Sequence, residues 1–199
     1  MAENKKQDKD WEIKRDLGDL GCLSINCEQN LHCFLRNLKK KGNRGKNYRS
    51  ETCTGCGADL VNWDRIDKYN LADKEYFIKC LNKETWRHAV WNLNIPDYMI
   101  EKALKRSYDE MNQRVKTIIS TRINKRKDEN NWDSRQTPRG KDIIYLAQHA
   151  TGTCCRRCIE EWYGINKNTI MKEEEIDFLT EITMTYIRSK INLRDQPKD

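Results

Sequence analysis

The stretch Ala147-Gln148-His149-Ala150-Thr151-Gly152-Thr153-Cys154-Cys155-Arg156-Arg157-Cys158-Ile159-Glu160-Glu161-Trp162-Tyr163 decides how this chain is read. It carries one of only three histidines and three of nine cysteines. Thr151 or Thr153 suits the N-cap of a helix from about Cys154 to Tyr163, and Gly164 suits its end. At about 100° per residue, Cys154, Cys155 and Cys158 then share an arc roughly 100° wide. His149 stands just before that helix, where the chain can fold back over the arc. Sulfur and imidazole at this spacing suit a tetrahedral zinc ion, and a helix N-terminus favours thiolates. The competing reading makes Cys154 or Cys155 a small buried hydrophobe.

Working outward, Gln136-Thr-Pro-Arg-Gly, the Ala147–Cys158 run, Trp162-Tyr-Gly-Ile and Glu173-Glu-Glu-Ile-Asp together resemble the bacterial domain-of-unknown-function family 4186. The resemblance covers the last half of the chain, from about Ile100. It implies a small intracellular bacterial domain and brings no activity with it. Two positions depart from the family pattern. A His usually follows the Trp, where this chain has Tyr163, and a Thr cap usually precedes the acidic run, where it has Lys172. Any chemistry performed by that His is absent here.

Of the 199 residues, 37% are hydrophobic and 35% charged, which predicts a lean core helped by cross-links or metal. Disulfides are the first alternative for nine cysteines. The opening Met1–Asp10 has no apolar core of a signal peptide, and no stretch approaches a membrane span. The expectation is therefore a cytoplasmic protein, whose clustered thiols read as metal sites. The net charge of +7 permits nucleic-acid binding without demanding it, because both signs are mixed along the chain.

Residues 1–20 read as a polar tail, 21–96 as a zinc-knuckle helical region, and 97–199 as the part resembling the family. Glu28 to Lys41 predicts a helix with Leu31, Phe34, Leu35 and Leu38 inward, Cys27 on the apolar side and Cys33 outward. The glycine-bearing loop that follows is basic, with Lys39, Lys40, Lys41, Arg44, Lys46 and Arg49. It suits phosphate contacts or a plain solvated connector equally. Cys53-Thr-Gly-Cys56-Gly57 is the second metal signal: two cysteines two apart wrap one ion while glycine permits the turn. A thioredoxin-like pair needs a βαβ setting that is missing. Its other two ligands come from Cys22, Cys27, His32, Cys33 and His88, with Cys33 and His88 preferred.

Asn70 caps a predicted helix over Leu71–Leu93, on which His88 is either a ligand or a hydrogen-bonded core residue. Ile95-Pro96-Asp97 breaks the chain. Ile100, Leu104, Tyr108, Met111, Val115, Ile118 and Ile119 then predict one long helix over 97–127, a candidate homodimer surface. Its basic end, Arg122, Lys125, Arg126 and Lys127, suits an anion or partner, or is simply a solvated face. Asp142–Ala147 reads as a strand or a buried helical turn, and Lys172–Ile191 as a last helix.

The fold class is thus mainly α: a small zinc-stabilised helical protein with a knuckle-type site in the N-terminal half and a His/Cys cluster in the C-terminal half. The expected ligands are Cys33, Cys53, Cys56 and His88 for one zinc ion, and His149, Cys154, Cys155 and Cys158 for another. The favoured function is a non-catalytic zinc-binding module of a bacterial complex, contacting nucleic acid or a protein partner. The alternative is a zinc-dependent enzyme acting on nucleic acid or nucleotide, with a metal-bound water at His149/Cys158 and Glu160 or Glu161 as base. The zinc deaminase signature fails, because Thr151 stands where its Glu belongs. An iron–sulfur cluster on the same thiols is a third possibility.

Overall fold

The computed structural model describes residues 26–32, 51–53, 55–124 and 136–193, which are mainly helical with three isolated bridges and no named strand. The helices are α1 (Trp63–Ile66), α2 (Lys74–Leu81), α3 (Thr85–Trp91), α4 (Asp97–Ala103), α5 (Tyr108–Ile118), α6 (Ile143–Thr151), α7 (Arg156–Tyr163) and α8 (Glu173–Lys190). Single 3-10 turns lie at Cys27–Gln29 and Leu71–Asp73, and a π turn at Ile119–Ile123 continues α5.

The run after Asp142 is a helix. Every residue of α6 except Tyr145 is buried, because α3, α4 and α8 all pack against it. A helix surrounded on all sides needs no polar stripe, so periodicity could not separate it from a strand. Asp142 starts it by accepting from the Ile144 N–H at 3.2 Å, and Lys102 pairs with the Asp142 carboxylate at 3.0 Å.

α8 follows its sequence pattern. Ile176, Leu179, Ile182, Thr183, Tyr186 and Ile187 are all buried. Lys172 cannot supply an acceptor for the first turn, yet Glu175 still takes the Lys172 N–H at 2.8 Å. Three glutamates in that turn also meet the positive end of the helix dipole.

Two predicted long helices are broken. The 97–127 helix divides at Leu104–Ser107, where Ser107 and Glu110 form a reciprocal capping box with bonds of 3.2 and 2.8 Å. Met111, Val115, Ile118 and Ile119 are buried within the chain and α5 packs on α8, so this part of the stripe read as a dimer surface faces the core, while Leu104 is 40% exposed. The 71–93 helix divides at Asn82–Glu84, which separates α2 from α3. The predicted helix from Glu28 does not start: Asn30 adopts φ 58° and closes a single turn, and residues 33–41 lie outside the described residues.

One apolar cluster runs from Cys53 to Ile191 and joins residues on both sides of Pro96. Phe77 stacks on Tyr163 at 6.3 Å and tilts against Phe178 at 5.2 Å, while Trp63 meets Trp162 edge-on at 5.9 Å. Each such ring contributes roughly 1.5–3 kcal/mol by burial. Gly152 shows how tightly the α6–α7 corner is built. It holds φ +74°, and an added Cβ would sit 3.0 Å from the Trp162 ring, so space and backbone both require glycine.

Candidate metal centres

The first centre is assembled from two loops. Asn26 accepts from the Gln29 N–H at 3.3 Å and starts the turn that presents Cys27; Asn30 ends it ahead of His32. In the second loop the Gly57 N–H returns to the Cys53 carbonyl at 2.8 Å, with Gly57 at φ +76°. The result gathers Cys27, His32, Cys53 and Cys56, all of whose ligand atoms lie within 4.8 Å of one another. Cys27 Sγ is 3.8 Å from Cys53 Sγ, and Cys56 Sγ is 3.6 Å from His32 Nδ1. The other ring nitrogen, His32 Nε2, meets Asn30 Oδ1 at 3.1 Å, which leaves Nδ1 turned to the sulfurs.

Thiol chemistry in this centre is uneven. Burial pushes Cys53 up, but N–H bonds from Cys56 and Gly55 and a bond from His32 outweigh it and bring the thiol down to about 6. Burial and sharing with its two sulfur neighbours push Cys27 up to about 11. A metal ion would find one thiolate already favoured.

Cys53 and Cys56 are thus brought together, whereas His88, one of the two preferred partners, is not. His88 is half-buried on α3 and is not a member of this group; Cys33 lies outside the described residues. Cys27 and His32 take part because the αL turn at Asn30 replaces the helix on which Cys27 would have faced the core.

The second centre gathers Cys154, Cys155 and Cys158, again with sulfurs within 4.8 Å of one another. α7 starts at Arg156, two residues later than the expected Cys154. Cys155 is its N-cap, and its own Sγ accepts from the Cys158 N–H at 3.5 Å. Gly164 ends the helix at φ +69°. All three sulfurs are enclosed, at 0%, 4% and 9% exposure.

His149 lies on α6 rather than in a loop, and it is 1% exposed. Its Nε2 meets the Thr137 carbonyl at 2.9 Å and its Nδ1 has no partner. It is not among the ligand atoms that lie within 4.8 Å of all three sulfurs. Burial, chiefly, lowers its pKa to about 4, so the ring is neutral and offers a lone pair.

Three side chains that sequence reasoning passed over complete the surroundings. Arg87, 3% exposed, reaches from α3 so that Nη1 donates to the His149 carbonyl and Nη2 to Cys158 Sγ at 3.4 Å. Glu84 pairs with Arg87 Nε at 3.1 Å. Gln136 Nε2 donates to Cys154 Sγ at 3.3 Å. Bonds from Cys155 and Cys158 hold the Cys154 thiol well below its usual range against the opposing effect of burial, with help from Arg87 and Gln136. The same sharing pushes Cys155 and Cys158 up. Glu160 and Glu161, the alternative general bases, are both engaged, with Lys167 at 2.5 Å and Arg157 at 2.9 Å. Tyr163, at the family's usual His position, donates its hydroxyl to the Thr151 carbonyl and so ties α7 back to α6.

All seven cysteines among the described residues are free. The two groups could each hold a metal ion. The basic positions fare differently. Arg122 is exposed and donates to the Tyr145 hydroxyl at 2.9 Å, while Lys39, Lys40, Lys41, Arg44, Lys46, Arg49, Lys125, Arg126 and Lys127 lie outside the described residues. No helix among the described residues is long and apolar enough to cross a membrane.

A family model described as a domain of unknown function (DUF4186) matches residues 75–188, more than half of the chain, and the chain belongs to that family. The match begins in α2 and takes in Glu84, Arg87, Gln136, His149 and the cysteine triad, but not the first centre. No solved structure matches the chain significantly.

Proposed function

We propose that this member of the DUF4186 family is a non-catalytic zinc module, in which two zinc ions fix loops against a helical core and basic segments contact nucleic acid. The observation that carries the reading is the state of the second centre. Its three sulfurs are enclosed, and both neighbouring carboxylates that could serve as base are held in ion pairs. A closed site requires His149 Nδ1, which is buried without a partner but not within 4.8 Å of all three sulfurs, to move in as fourth ligand; the ion then has no open position for substrate or water. Thr137 then supplies the outer hydrogen bond that fixes the ring's tautomer.

Zinc is favoured at the first centre by length. A tetrahedral ion with sulfur at about 2.3 Å and nitrogen at about 2.05 Å has S–S edges of about 3.8 Å and S–N edges of about 3.6 Å. Two of the six edges here, Cys27 Sγ to Cys53 Sγ and Cys56 Sγ to His32 Nδ1, are 3.8 and 3.6 Å, and all lie within 4.8 Å. A disulfide needs sulfurs about 2.05 Å apart. Free thiols in this number also suit the reducing cytoplasm of a bacterial cell.

The contact role rests on the excess of 38 basic over 31 acidic residues and on their density in 39–49 and 122–127. Such segments bind phosphates through counterion release.

X-ray absorption at the zinc edge tests the central claim. The expected result is two zinc ions per chain with an average shell of three sulfurs and one nitrogen. An oxygen in the shell of one ion, or iron in place of zinc, would overturn the non-catalytic reading. A filter-binding titration at low salt tests the contact role: charge neutralisation in 39–49 and 122–127 should weaken binding and flatten its salt dependence. Absence of any affinity for DNA or RNA would redirect the role to a protein partner.

A further inference from the structure

We infer that the two centres load cooperatively, the ion on Cys27, His32, Cys53 and Cys56 favouring the ion on the cysteine triad. The inference rests on the two-zinc reading above and adds a coupling between the sites. A short polar path joins them. The His32 N–H donates to the Lys83 carbonyl at 2.6 Å, and His32 forms a parallel bridge with Glu84. Glu84 is 0% exposed at the start of α3, and its carboxylate holds Arg87 Nε at 3.1 Å. Arg87 in turn donates to the His149 carbonyl and to Cys158 Sγ. One turn of helix therefore separates a ligand of the first ion from a sulfur of the second.

The direction of the effect follows from what holds each part. Within 26–32 only His32 is buried, with Cys27 partly buried against the core, so few apolar contacts hold this segment on the Lys83–Glu84 corner. An ion bound through Cys27 and His32 fixes it there. The corner then orders Glu84, and Glu84 orders the guanidinium that the second centre uses. The ordering entropy of these two long side chains is thus already met when the second ion arrives. By linkage the second ion favours the first by the same factor.

Native mass spectrometry of the full chain, with zinc titrated to an average of one ion per chain, reads this directly. Independent sites, equal or unequal, put at least about half of the protein in the one-zinc form. For sites of equal intrinsic affinity, a tenfold coupling, within the usual range of about 5- to 150-fold, lowers that share to about a quarter. We expect a one-zinc share well below half, with apo and two-zinc forms dominant. Glu84→Gln should return the share to half or more while two ions still bind at saturation. Zinc affinity of the cysteine triad that is unchanged when Cys53→Ser and Cys56→Ser remove the first centre overturns the coupling, whatever the one-zinc share, because sites of very unequal affinity keep that share high even when coupled. Unchanged cooperativity in Glu84→Gln overturns the path through Glu84. Fewer than two zinc ions at saturation overturns instead the two-zinc reading on which the coupling stands.

Discussion

Arg87 and Cys158 are 71 residues apart in the chain, and in the fold Nη2 of the arginine donates to the cysteine Sγ at 3.4 Å. Burial works against the charge on this guanidinium. Cys158, Glu84 and Cys154 around it instead hold it firmly charged. A zinc ion on three thiolates and one imidazole carries a net negative charge, and a buried cation beside it lowers the cost of enclosing that charge.

Replacing Arg87 by Met should therefore weaken the second centre far more than the first. The expected outcome is that one of two zinc ions becomes extractable by a competing chelator at roughly 10- to 100-fold lower chelator strength. Stability should also fall, by about 3–5 kcal/mol, because Glu84 is left buried without its cation. Equal retention of both ions in the variant would show the arginine to be a packing residue only.

Asn30 serves the first centre in a separable way. Its φ of 58° is one that glycine also adopts, while its side chain alone meets His32 Nε2. Asn30→Gly should keep the turn and lose about 10- to 100-fold in zinc affinity at that centre, with Asn30→Asp restoring most of it. An Asn30→Gly protein that binds zinc like the wild type would remove Asn30 from any positioning role.

His149→Ala removes the proposed fourth ligand. Metal content should fall towards one ion per chain, and the melting temperature should fall with it, since metal binding here is coupled to folding. If two ions persist and water enters the zinc shell, the enzyme reading gains the open position it needs.

Buried tyrosines contribute to the pH dependence of stability on the alkaline side. Burial raises the pKa of Tyr186, whose hydroxyl donates to the Val90 carbonyl at 3.3 Å. An unfolded tyrosine ionises near pH 10. Between that pH and the higher folded value, the unfolded chain has lost a proton that the folded chain keeps. Stability contributed by this group is thus full below about pH 10 and falls as pH rises, by about 1.4 kcal/mol per unit. Tyr186→Phe should flatten the decline in melting temperature above about pH 10; an unchanged slope would assign the decline to other groups.

Much of the architecture was legible locally. The spacing of Ile176, Leu179, Ile182, Tyr186 and Ile187 predicted α8, and Gly164 marked the end of α7. Ser107 and Glu110 formed a readable capping box that the apolar stripe across 97–127 obscured. Asn82–Glu84 gave no comparable signal, since apolar residues at helical spacing continue on both sides of it. His88 was favoured for its chemistry, yet its neighbour Arg87 is the side chain of α3 that reaches a centre. One residue is about 100° around a helix, and only packing fixes which face turns inward.

What the sequence determined alone are the groups whose members sit within one turn or one loop. The Cys154–Cys158 triad and the Cys53–Cys56 pair come together because backbone geometry over a few residues leaves little choice. Tertiary structure decided everything that arrives from a distance: Cys27 and His32 at the first centre, and Arg87, Glu84 and Gln136 at the second. Their places depend on how α3 packs on α6 and how the 26–32 segment lies on the corner before α3. Burial of a shared core sets those arrangements, and the spacing of residues along the chain does not encode them.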